Sequence, residues 1–77
     1  MTEKEILDKI KSLEEQEHTL YSKDGLSAEE RKRAGDLRVE LDRYWDLLRQ
    51  KRALSEFGKN PEKADLRGAD TVENYEQ

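Results

Sequence analysis

Glu15 and His18 have the spacing of a metal-binding pair in this 77-residue chain. Their Glu-x-x-His spacing puts both side chains on one helix face. Carboxylate-bridged di-iron bundles hold metal with this spacing, once a further carboxylate arrives from a neighbouring helix. Asp36 or Glu40 would have to supply that carboxylate. Neither lies on the apolar stripe of its helix, and Glu15 and His18 point away from theirs. The spacing arises easily in so acidic a helix, His18 is more simply an ordinary hydrogen-bonding side chain, and no metal or other cofactor is expected.

Arg49-Gln50-Lys51-Arg52 is the second candidate, a basic cluster that could grip an acidic partner or RNA. The formal net charge of −4 and the lack of aromatic residues interleaved with the cations argue against nucleic acid. The plainer role for these cations is pairing with an acidic neighbouring helix. Glu17 is the third candidate, a carboxylate on an otherwise apolar stripe. Such a group persists by reaching solvent or by pairing with a cation. Arg38 is its nearest partner in the chain, with Arg49 or Arg52 of a second chain as alternatives. No nucleophile, base and orienting group share a recognisable spacing, so a non-enzymatic protein is expected.

The elements that carry these residues are legible from spacing. Thr2 with Glu5, and Ser27 with Glu30, are two capping-box patterns, in which hydroxyl and carboxylate each satisfy a backbone N–H at a helix start. Ile6, Ile10, Leu13, Glu17 and Leu20 form the stripe of a first helix expected over about residues 3–23. Ala34, Leu37, Leu41, Tyr44 and Leu48 form that of a second, expected over about 28–57, with Gly58 as its stop. Between them Lys23-Asp24-Gly25-Leu26 supplies a turn, with Gly25 free to take a positive φ. A turn centred near residue 27 pairs every position of one stripe with one of the other, Ile6 with Leu48 at one end and Leu20 with Ala34 at the other. The expected fold is all-α, an antiparallel two-helix hairpin over residues 1–58. Residues 59–77 form a mostly irregular tail, in which Asn60-Pro61-Glu62 could open one helical turn.

Composition makes burial the limiting resource, since 44% of the residues are charged and 32% are hydrophobic. Without cysteine there is no disulfide or thiolate metal site to help. Residues 1–26 carry a net −3, residues 27–57 a net +1 and the tail −2, a distribution that favours pairing of the two helices. Trp45, Leu47, Leu54 and Phe57 lie off the seam of the second helix, on several sides of it. The expectation is that a second hairpin covers them, making a dimeric four-helix bundle, with Leu66, Val72 and Tyr75 anchoring the tail partly along it. Asp46 and Arg49, three apart, are expected to pair with each other and Arg52 to lie close to the stripe. No run is long and apolar enough to span a bilayer, and the start Met1-Thr2-Glu3-Lys4-Glu5 is unlike a signal peptide, so a cytoplasmic, non-membrane location is expected.

Glu17-His18-Thr19-Leu20, the run Leu41-Asp42-Arg43-Tyr44-Trp45-Asp46-Leu47-Leu48-Arg49-Gln50-Lys51-Arg52-Ala53-Leu54, Phe57-Gly58, Asn60-Pro61 and Val72-Glu73-Asn74-Tyr75 together resemble a bacterial domain-of-unknown-function family, number 2630. The resemblance spans nearly the whole chain, and Trp45-Asp46-Leu47-Leu48-Arg49-Gln50 is its most specific part. Lys51 stands where the family usually has Arg. The resemblance implies a short bacterial protein made of this one module and brings no catalytic residue with it. The expected function is a structural or interaction module that self-associates through its second helix. An adaptor holding an acidic partner or RNA through Arg49, Lys51 and Arg52 is the alternative, with a carboxylate-bridged metal site in a dimeric bundle behind it.

Overall fold

A computed structural model describes residues 1–68 and Val72. The fold is all-helical among these residues. Helix α1 spans Glu3–Tyr21, helix α2 spans Ala28–Glu56, and one 3₁₀ turn spans Pro61–Lys63. Both capping boxes form: Thr2 and Ser27 accept from the backbone N–H groups of Glu5 and Glu30, whose carboxylates accept from the backbone N–H of the cap. Helix α1 stops at Tyr21 rather than near residue 23: the N–H of Lys23 turns to the carbonyl of Leu20, three residues back, and the Ser22 hydroxyl donates to the carbonyl of Thr19.

The helices pack antiparallel along the two stripes. Ile6, Ile10 and Leu13 of α1 and Leu37, Leu41, Leu47 and Leu48 of α2 form one buried cluster, with Leu20, Tyr44 and Ala64 packed against it. Cross-helix bonds mark the register at both ends. Arg33 donates to Gln16 at 2.8 Å near the turn, and Arg52 Nε donates to Glu3 Oε1 at 3.0 Å at the open end. On the same side as Arg33, the Lys9 ammonium lies 6.0 Å from the centre of the Tyr44 ring.

Gly25 does not use its freedom: among the described residues only Gly58 has a positive φ, at 72°. There the N–H of Lys59 bonds to the carbonyl of Leu54 at 2.7 Å and that of Gly58 to Ser55 at 3.1 Å, which is the Schellman pattern that ends a helix on a left-handed glycine. The turn reverses the chain. Asn60 then caps the 3₁₀ turn, with Pro61 at its first position, as the sequence suggests.

From there the tail runs back along the side of α2 that α1 leaves open. Asp65 N–H donates to Gln50 Oε1 at 3.4 Å, and Gln50 Nε2 donates to the Asp65 carbonyl at 2.7 Å. Arg43 Nε donates to the carbonyl of Arg67 at 2.9 Å, and Arg67 Nε lies 3.4 Å from Oδ2 of Asp46. Ala64 packs on the cluster that contains Leu47. Val72 is buried and Leu66 is partly exposed; Tyr75, the remaining expected anchor, lies outside the described residues.

Candidate functional site

The four residues expected to form one interface are separated by the fold. Leu47 belongs to the core and is 5% exposed. The cause is the returning tail, whose covering role the helix periodicity does not reveal. Leu54 is half-buried. Phe57 is 76% exposed at the end of α2, twelve residues and therefore about 120° round the helix from Trp45.

Trp45 remains, 39% exposed, and it has a neighbour that the stripe analysis passes over. The Glu3–Arg52 ion pair fixes which flanks of the two helices meet. Leu7 lies one turn beyond Glu3 on α1, and Trp45 two turns before Arg52 on α2, so both occupy that flank. Leu7 is 41% exposed. Its signal in the sequence was an apolar residue beside a stripe position and out of phase with it. Glu14, seven residues after Leu7, and Arg38, seven before Trp45, extend the same two rows and are exposed.

The ionic partners also differ from expectation. Arg38 lies 3.9 Å from Asp42, one turn ahead on its own helix, and Glu17 is half-buried with no ion pair among the described residues. Asp46 does not pair with Arg49. It is buried beneath the tail, where it accepts from Gln50 at 2.8 Å and meets Arg67. The basic cluster divides. Arg52 turns toward Glu3, Lys51 reaches Glu62 at 3.7 Å and the carbonyl of Met1, and Arg49 is exposed and makes no ion pair among the described residues.

Glu15 and His18 both lie exposed on α1, and among the described residues no group of three or more potential ligands gathers around them. The one strong electrostatic perturbation belongs to the turn. Lys23 and the Ser27 backbone hold the Glu30 carboxyl down at about 2. Glu5 is lowered for a related reason, its bonds to Thr2. These shifts belong to helix caps, with no reacting group beside them. No described helix is long and apolar enough to cross a membrane.

A two-helix hairpin clasped by its own tail, with its polar perturbations confined to caps, defines a class of small helical modules. The family model described as "protein of unknown function (DUF2630)" matches residues 2–77, and the chain belongs to that family. It is 41% identical over 78 residues to an uncharacterised protein of Mycobacterium bovis, covering 96% of this chain and 90% of the relative. Uncharacterised proteins of two Mycobacterium tuberculosis strains match with the same identity and coverage. No solved structure matches the chain.

Proposed function

We propose that this protein is a non-enzymatic interaction module that pairs with a second copy of itself through the hairpin flank bearing Leu7 and Trp45, forming a four-helix bundle. The observation that carries this reading is the partial exposure of Trp45 on the flank opposite the tail, beside an equally exposed Leu7. Removing such side chains from water contributes roughly 1.5–3 kcal/mol apiece when burial is complete. The flank is also self-complementary in charge. Its α1 row carries Glu14 and its α2 row Arg38, so a two-fold axis through the Trp45 region can lay each row against the opposite row of the other copy.

Sedimentation equilibrium of the wild type, Trp45→Ala and Leu7→Glu tests the reading. A wild-type dimer, with both variants monomeric and fully helical by circular dichroism, supports it. A wild-type monomer at high concentration, or dimers that persist in both variants, overturns it. Leu47→Glu is no test of association, because it places a carboxylate in the core.

A further inference from the structure

Two adjoining open clefts lie between the tail and α2, away from the Trp45 flank. The first, of about 230 Å³, lies between Arg49 and Arg67, with Asp46 and Ala53 in its lining. The second, of about 280 Å³, shares Gln50, Ala53 and Arg67 with the first and adds Leu54 and the Lys63 ammonium. Together they place three cations against one carboxylate. That carboxylate is already engaged: Asp46 accepts from Gln50 and meets Arg67 Nε. Arg49 and Lys63 make no ion pair among the described residues, whereas Lys51 and Arg52, close to Arg49 in sequence, do.

Arg67 is held in place before any ligand arrives. Its carbonyl accepts from Arg43 and its Nε faces Asp46, which leaves the two terminal guanidinium nitrogens without a recorded partner among the described residues. Planar guanidinium forks match the oxygens of a phosphate two at a time. Ala53 and Leu54 give the second cleft an apolar side.

We infer that this groove binds the phosphate group of a small phosphate monoester, with Arg49 and Arg67 gripping the oxygens and the ester substituent lying over Ala53 and Leu54 toward Lys63. The site needs the tail docked, because two of its three cations come from the tail. It does not depend on the self-association reading.

Amide-resolved NMR titration of the full chain with inorganic phosphate and with phenyl phosphate, against chloride at matched ionic strength, tests the assignment. Saturable shifts at Arg49, Gln50, Ala53 and Arg67 are expected, with phenyl phosphate binding severalfold more tightly than phosphate. Arg49→Gln, at an exposed position without a recorded partner, should keep the fold and weaken both about tenfold, the loss of one charge-assisted contact. Shifts no larger than those with chloride overturn the site, and so does unchanged affinity in Arg49→Gln.

Discussion

Arg67, in the returning tail, places its Nε 3.4 Å from Oδ2 of Asp46, a buried carboxylate on the side of α2 away from the hairpin turn's partner helix. This contact joins segments 21 residues apart and, with the Gln50–Asp65 bonds, straps irregular chain onto a regular helix. Removal of either partner leaves the other without its match. Asp46→Ala is expected to cost about 1–3 kcal/mol in urea unfolding. Arg67→Ala should cost less, since its guanidinium is partly exposed, and the double variant should cost less than the sum of the two. Both variants should speed tryptic cleavage after Lys63 relative to cleavage within α2.

Leu47 and Trp45, two residues apart, should behave oppositely. Leu47→Ala opens a cavity in a close-packed cluster, and a loss of about 2–5 kcal/mol is expected. In a chain of this size that is a large share of the whole stability. Trp45→Ala, at a residue 39% exposed, leaves no enclosed cavity and should cost the monomer less. Chemical denaturation at concentrations low enough to keep the chain monomeric separates the two effects from self-association.

Why the sequence leaves Leu47 uncovered has a physical answer. Helix packing leaves a period, so Ile6, Ile10, Leu13, Leu37, Leu41 and Leu48 could be assigned to a seam, and the two capping boxes set the helix starts. Antiparallel register followed from matching stripe lengths across a short turn. The tail's contacts have no period: Ala64, Asp65 and Arg67 meet α2 through irregular backbone. On spacing alone Leu47 therefore reads as uncovered, and Asp46 finds its nearest cation in Arg49 on its own helix rather than in the distant Arg67. Arg38 illustrates the converse, since an i,i+4 partner, Asp42, was nearer than Glu17 on the other helix. The groove between Arg49, Arg67 and Lys63 was invisible for the same reason as the strap that forms it.

The turn between the helices should be sensitive to acid. Glu30 is held at about 2, first by Lys23 and next by the Ser27 backbone, against an ordinary value of 4.5. A carboxyl with a depressed folded-state pKa binds protons more readily when unfolded. Its stabilisation is complete above about pH 4.5 and is lost as pH falls toward 2. Urea midpoints measured across this window should decline, and in Lys23→Ala, which lacks the largest cause, they should decline less. Glu5 contributes in the same direction at the other cap.

Gly58 is the described position where a side chain would be strained by backbone conformation alone, its φ of 72° lying in the left-handed region. Gly58→Ala should cost about 1–2 kcal/mol, although nothing lies within 4 Å of where the new methyl would sit. Thermal unfolding followed by circular dichroism measures it. If strain is the cause, Gly35→Ala, in mid-helix with equally open surroundings, should instead stabilise the chain, by about 0.5–1 kcal/mol.

Because the tail retraces α2 from Gly58 backwards, it has no surface to dock on until α2 is helical. Assembly therefore has an order, with α2 forming before the strap can close on it. Reversing the second step alone uncovers Leu47 while Leu41 and Leu48 stay enclosed by α1. Amide protons of the tail should accordingly exchange through a smaller opening than those of the seam. The molecule thus has two levels of opening, and at the lower one it offers a leucine that its closed state conceals.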